Sequence, residues 1–211
     1  MRLIGEFRSS GYLALAEAVE AFFDRRTELQ RPGTAFGNDP AIPAKVSTDI
    51  SLVAFDRSDP EAHGLAEVIL RGVSAGLQRW LAERPLFLEC APERSLFVCP
   101  LFNLQRYAPG EGFHAWHCDW TTTEEATEPI RRVLAWILYC NSLPEGGTEF
   151  HWQDHHVEAE KGKLVIFPAG LSHIHRGRVS ATHTKTIATG WINAGSLEDY
   201  RARLQEGTIS A

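Results

Sequence analysis

Residues 112–120 read GFHAWHCDW, and what this stretch requires of its surroundings decides the fold. His117 and Asp119 stand two positions apart, with Trp116 and Trp120 beside them. Successive side chains of an extended segment point to opposite faces, so His117 and Asp119 project to one side and Cys118 to the other. An imidazole and a carboxylate on one face are two metal-capable groups. They need a third ligand and a sheet stiff enough to hold all three.

The flanking sequence supplies a sheet. From residue 95 to 193 the apolar period is two, through SLFVCPLFNLQRY (95–107), RRVLAWILYCN (131–141), TEFHW (148–152), HHVEA (155–159), KLVIFPA (163–169) and TKTIATGWIN (184–193). Turn signals separate these runs at Pro109-Gly110, Gly146-Gly147 and Gly162. The pattern predicts an antiparallel sheet or barrel. Upstream the period changes: Leu13, Ala16, Val19, Phe22 and Phe23 recur at helical spacing behind Ser9 or Ser10 as a cap. A second helix starts at Asp59 as cap with Pro60 at its first position and Glu61 in its first turn, and ends near Pro85. Between them, residues 31–47 (RPGTAFGNDPAIPAKVS) read as a long loop, either a functional one that folds over a site or a mobile surface loop. SLEDYRARLQ closes the chain as a short helix capped by Ser196. The expectation is a single domain over residues 1–211. Residues 1–94 would form helical support and loop, 95–193 the sheet core, and 194–211 a C-terminal tail.

Composition excludes some classes of function. With 44% apolar and 23% charged residues, the 211-residue chain is an ordinary globular sequence. Its net charge of −6, without a Lys/Arg stripe, argues against general binding to nucleic acid. Glu17 and Glu20 interrupt the most apolar N-terminal run, so neither secretion nor membrane insertion is expected. Cys90, Cys99, Cys118 and Cys140 form no CxxC pair, which fits reduced thiols in a cytoplasm. Histidine is the outlier: eight of nine follow residue 113, which places the chemistry in the second half.

KLVIFPAGLSHIHRG (163–177) offers His173 and His175 as the third ligand. Two His and one Asp from two strands make a facial triad with open positions, an arrangement associated with non-haem Fe(II) that activates oxygen. In TKTIATGW, Lys185 shares a strand face with Ile187, Thr189 and Trp191, which points its ammonium inward. A buried charge needs a partner, and a carboxylate ligand would be one. His183 lies on the same face and would approach the mouth. Trp116, Trp120, Trp136 and Trp152 are candidates to line a cleft, with Trp120 foremost.

The run RYAPGEGFHAWHCDW, then LYCN, GGTEF, KLVIFPAGLSHIHRG and KTIATGW, resembles in order and spacing the prolyl-hydroxylase-like branch of the 2-oxoglutarate and Fe(II)-dependent dioxygenases. The resemblance covers roughly residues 100 to 193. It implies a double-stranded β-helix, or jelly roll, so the fold class is mainly β (α+β) with supporting N-terminal helices. It implies His117, Asp119 and His175 as ligands of Fe(II), the last because it stands ten residues before the basic position, with His173 as the alternative. Lys185 takes the place of the family's basic residue, often Arg, that holds the distal carboxylate of 2-oxoglutarate. Tyr107 and Tyr139 match tyrosines that often donate hydrogen bonds to that carboxylate. The implied cosubstrates are 2-oxoglutarate and O2, and the implied reaction is hydroxylation of an unactivated C–H bond. The substrate would be a prolyl or other side chain of a protein or peptide, or a free small molecule. Asp119 fills the position that halogenating relatives leave open, and no arginine pair of the nucleic-acid dealkylating kind follows the distal His. The rival from another class is a non-catalytic jelly-roll module holding a structural or sensory metal such as Zn(II), for which an inward-facing Lys185 has no use.

Overall fold

The computed structural model describes residues 3–33, 35, 44–90, 96–120 and 132–206. Its frame is a seven-stranded antiparallel sheet. The strands are β1 (Gly5–Arg8), β2 (Arg31–Pro32), β3 (Thr48–Val53), β4 (Leu96–Tyr107), β5 (Arg132–Tyr139), β8 (Lys163–Pro168) and β10 (Lys185–Ala194), in the order β1-β8-β5-β10-β4-β3-β2. A smaller sheet, β7-β6-β9, is built from β6 (Thr148–Phe150), β7 (His155–Val157) and β9 (His175–Gly177). Two sheets of antiparallel strands facing each other make the double-stranded β-helix.

Alternation along the strands gives the large sheet two apolar faces. Phe102, Leu104, Leu134, Trp136, Leu138, Leu164, Ile166, Ala188 and Ile192 point outward into a core shared with the helices. The helices are α1 (Ser10–Arg25) and α2 (Pro60–Ala82), followed by the short α3 (Pro85–Cys90). Trp80 and Trp136 are fully buried there, and each large side chain so buried contributes about 2–3 kcal/mol. The opposite face carries Ala135, Ile137, Tyr139, Val165, Phe167 and Ile187 toward the small sheet, where Phe150 and Val157 meet them. The helices therefore brace the outer face and leave the space between the sheets for the site.

Local signals placed the helices well. The Ser9 hydroxyl accepts from the Tyr12 amide at 3.2 Å, and the Asp59 carboxylate accepts from the Glu61 and Ala62 amides. Ser196 caps α4 (Leu197–Gln205) in the same way. The buried face of α1 is corrected in one position: Tyr12 takes it, and Leu13 lies 45% exposed. Tyr12, Ala16, Val19 and Phe23 keep the helical period, so Leu13 sits one residue off the stripe.

Several expectations about the strands change. Gly5–Arg8 and Thr48–Val53 are strands that alternation in the second half of the chain did not include. TEFHW keeps only its first three residues as strand, because His151 opens a turn that runs to Asp154, at φ +44°. The loop over 31–47 is partly sheet. Arg31–Pro32 pairs with β3, Lys45 bridges Phe113, and the His114 amide donates to the Ala44 carbonyl at 2.8 Å. Residues 36–43, and with them the expected tip of that loop, lie outside the described residues. Gly146 turns at φ +112°, and a Cβ on Gly147 would fall 1.8 Å from the Val157 carbonyl oxygen, so the Gly-Gly pair is required there.

Candidate active site

GFHAWHCDW is not a regular strand. It runs beside β9 through an isolated bridge between His117 and His175, whose amides and carbonyls exchange bonds of 2.9 and 2.8 Å. The Asp119 and Trp120 amides both donate to the Ala169 carbonyl, at 3.0 and 3.1 Å. The bridge and these bonds set the segment against the chain that carries the distal histidine.

One ligand atom from each of His117, Asp119 and His175 lies within 4.8 Å of the others, the one such group found among the described residues. His175 Nε2 stands 3.6 Å from Asp119 Oδ2, and the two imidazole centroids are 4.4 Å apart. Each ring is oriented through Nδ1: His117 on the Ala115 carbonyl at 2.9 Å, His175 on the His173 carbonyl at 3.0 Å. These bonds leave Nε2 of both rings for the centre. Phe113 stacks on His117 at 3.6 Å and 9°. Burial and the adjacent His175 ring hold the His117 imidazole well below its usual pKa, so it is neutral at pH 7, the form that binds metal. His173 belongs to a 3-10 turn and not to the strand of His175; its Nδ1 meets the Ser172 hydroxyl at 3.0 Å, outside the triad.

The triad opens into a cavity of about 620 Å³ between the sheets, lined among others by Lys45, Gln105, Tyr107, Arg132, Tyr139, Thr148, Lys185 and Trp191. Lys185, Ile187, Thr189 and Trp191 all face it, as the period of two requires. Lys185 is 5% exposed and directly opposite Tyr107 in the register of β10 on β4. Its Nζ donates to the Arg178 carbonyl at 3.0 Å and lies 4.7 Å from the Tyr107 ring centroid. No carboxylate pairs with it among the described residues, and burial lowers its pKa from 10.5 to about 8. A Cβ at Gly177 would come within 3.3 Å of this ammonium, so the glycine of β9 keeps the space around it. Tyr139 meets the Thr148 hydroxyl at 2.6 Å. Tyr107 donates to Gln105 Oε1 at 2.6 Å, a different use of its hydroxyl from the one the resemblance implies.

The other aromatic and histidine expectations divide. Trp120 lines the cavity and is 47% exposed, whereas Trp136 is core on the far side of the sheet. Trp116 lies under the Arg176 guanidinium and edges His151, which in turn edges Trp152. His183 is exposed, bonded to Thr182, and absent from the cavity wall. Sequence reasoning missed Lys45, Gln105 and Arg132, which also line the cavity. Gln105 could have been found by parity with Tyr107 on β4. Arg132 could not, because it shares the parity of Leu134 and Trp136 and the register of β5 on β10 shifts between Leu134 and Arg132, and Lys45 sits in a loop where no period points.

The residues present fit a metal with a carboxylate cosubstrate: two imidazole nitrogens and a carboxylate oxygen converge, and a buried ammonium with no carboxylate partner among the described residues shares their cavity. Fold and site together fit an Fe(II) oxygenase of the jelly-roll class. Residues 102–193 match the family model described as the 2OG-Fe(II) oxygenase superfamily. Members of that superfamily are oxidoreductases that use Fe(II), 2-oxoglutarate and O2. Among solved structures, the chain is similar to a viral collagen prolyl hydroxylase from Paramecium Bursaria Chlorella virus-1 in its 2OG complex. They share 16% identity at a TM-score of 0.61 over 92% of this chain and 97% of that one. A Pseudomonas putida prolyl-4-hydroxylase is 18% identical at TM-score 0.61, covering 90% and 92% of the two chains. A Trichoplax adhaerens prolyl hydroxylase, solved with a hypoxia inducible factor oxygen degradation domain peptide fragment, is 12% identical at TM-score 0.62, covering 94% and 86%. At these identities the likeness is one of fold. No curated protein matches the chain in sequence.

Proposed function

We propose that this chain is an Fe(II)- and 2-oxoglutarate-dependent hydroxylase acting on a prolyl or other side chain of a protein or peptide. The observation that carries the reading is the meeting, in one cavity, of the His117–Asp119–His175 triad with a buried lysine that has no carboxylate partner among the described residues. In this reading His117, Asp119 and His175 hold the metal, and Lys185 receives the distal carboxylate of 2-oxoglutarate, with Tyr107 and Tyr139 closing that end. When bound, Fe(II) with 2-oxoglutarate and O2 supplies the oxidising power to insert oxygen into a C–H bond, releasing succinate and CO2. The chain's own part is to orient three ligands, keep the His117 imidazole neutral, and exclude water between two apolar sheet faces. The charges balance: an Fe(II) dication, Asp119, the 2-oxoglutarate dianion and the Lys185 ammonium together come to zero. That balance favours an enzyme over a metal-holding module, which has no use for the ammonium.

A polypeptide substrate is favoured over a free small molecule by the exposed aromatic side chains beside the triad. Trp116 and Trp120 flank His117 and Asp119, and Trp152 extends the surface at 63% exposure. Such a surface suits an extended chain with apolar side chains. The test is oxygen-dependent succinate release from 2-oxoglutarate, slow alone and accelerated by prolyl-containing peptides. Acceleration by free metabolites alone transfers the reading to a small-molecule hydroxylase. With iron bound and no succinate under any condition, the chain is a binding module.

A further inference from the structure

A buried polar row leads from β3 into the wall of the cavity. Asp49, 9% exposed, accepts from Lys45 Nζ at 2.6 Å and from the Ser47 hydroxyl at 2.7 Å. Its Oδ2 also accepts from Gln105 Nε2 at 3.3 Å, across the direct register of β3 on β4. Two residues further along the same face of β4, the Tyr107 hydroxyl donates to Gln105 Oε1 at 2.6 Å.

The order of donors in this row is forced. An ionised carboxylate only accepts, so the amide of Gln105 must turn its NH2 toward Asp49 and its oxygen toward Tyr107. That oxygen only accepts, so it takes the single proton of the phenol. Tyr107 then has no proton left to give to a ligand in the cavity. Its ring is used instead: the Lys185 ammonium sits 4.7 Å from the ring centroid and opposite Tyr107 in the strand register. Of the three ammonium protons, one goes to the Arg178 carbonyl and one toward the ring face, which leaves the third for an anion.

We infer that Tyr107 serves the cosubstrate end of the cavity through its ring and not its hydroxyl, and that Asp49, acting through Gln105, is the positioning residue that keeps it so. The inference rests on the reading of Lys185 as the cation for 2-oxoglutarate. The Tyr139–Thr148 hydroxyl pair, 2.6 Å apart on the same cavity wall, is then the remaining hydroxyl donor to the distal carboxylate.

The experiment titrates 2-oxoglutarate anaerobically into the Fe(II)-loaded protein by calorimetry, for the parent and for Tyr107→Phe, Tyr107→Leu and Lys185→Ala. Tyr107→Phe keeps the ring and is expected to bind within about threefold of the parent, whereas Tyr107→Leu loses tenfold or more, since tenfold is about 1.4 kcal/mol and a desolvated cation–π contact reaches that size. A tenfold loss in a Tyr107→Phe protein with an unchanged circular dichroism spectrum means that the hydroxyl binds the cosubstrate, and overturns the inference while the function stands. Full affinity in Tyr107→Leu overturns the role of the ring. Unchanged affinity in Lys185→Ala removes the proposed cosubstrate site itself. The relay is tested separately on the metal-free protein, where Asp49→Asn combined with Tyr107→Phe should lower the melting temperature by less than the two single losses together. Additive losses mean that Asp49 does not act on Tyr107.

Discussion

Replacing Lys185 by Met should make the metal-free protein more stable while removing its grip on 2-oxoglutarate. The ammonium is 5% exposed and has no carboxylate partner among the described residues, and burial lowers its pKa from 10.5 to about 8. At about 1.4 kcal/mol per pH unit, the charged lysine costs the folded state about 3 kcal/mol at pH 7. The sign follows from the protons bound. Between pH 8 and 10.5 the unfolded chain holds the proton and the folded one does not, so stability rises with pH across that window. Below it the cost is present in full, and above it the cost is gone. Methionine has nearly the length of the lysine stem and carries no charge. Losing the bond to the Arg178 carbonyl offsets about 1 kcal/mol, leaving a net gain of about 2 kcal/mol. For a chain of this size that raises the melting temperature by about 4–8 °C at pH 7. The assay is thermal denaturation of metal-free parent and Lys185→Met from pH 6 to 11, with and without 2-oxoglutarate and Fe(II). The gain should shrink above pH 8 and vanish by pH 11, and added 2-oxoglutarate should stabilise the parent alone. No gain at pH 7, or one equal at all pH values, would refute the reasoning that this ammonium is an unbalanced buried charge.

The same ammonium predicts that 2-oxoglutarate affinity is flat below pH 8 and falls about tenfold per unit above it, because the carboxylate binds the protonated form; anaerobic titration across pH 6 to 10 checks this. His117→Ala, Asp119→Ala and His175→Ala should each abolish Fe(II) binding, while His173→Ala, whose ring lies outside the triad, retains it in equilibrium dialysis. Loss of iron in His173→Ala with retention in His175→Ala would reverse the assignment. Gly147→Ala should destabilise the fold by about 2–4 kcal/mol in urea denaturation, since its Cβ would fall 1.8 Å from the Val157 carbonyl oxygen; a change under 0.5 kcal/mol would show that the hairpin yields.

What the sequence determined by itself was whatever has a local or periodic cause. Helix starts at Ser9, Asp59 and Ser196 were legible because a cap is a contact over three residues. The cavity face of β10 was legible because a strand fixes side by parity, so Lys185, Ile187, Thr189 and Trp191 had to travel together. The spaced motifs named the triad, and spacing preferred His175 to His173. What only the tertiary structure decided were matters of register and of pairing between distant segments. Gly5–Arg8 and Thr48–Val53 are strands because β8 and β4 offer them partners, a cause that lies more than forty residues away in each case. That GFHAWHCDW is held by isolated bridges to Lys45 and His175 and by bonds to Ala169 depends on the same long-range pairing. The sharpest case is Tyr107. Its place in the cavity was implied by the resemblance, but the direction of its proton is set by Gln105, Asp49 and Lys45, and these meet only when β3 lies on β4. A hydroxyl has one proton, and the fold decides who receives it.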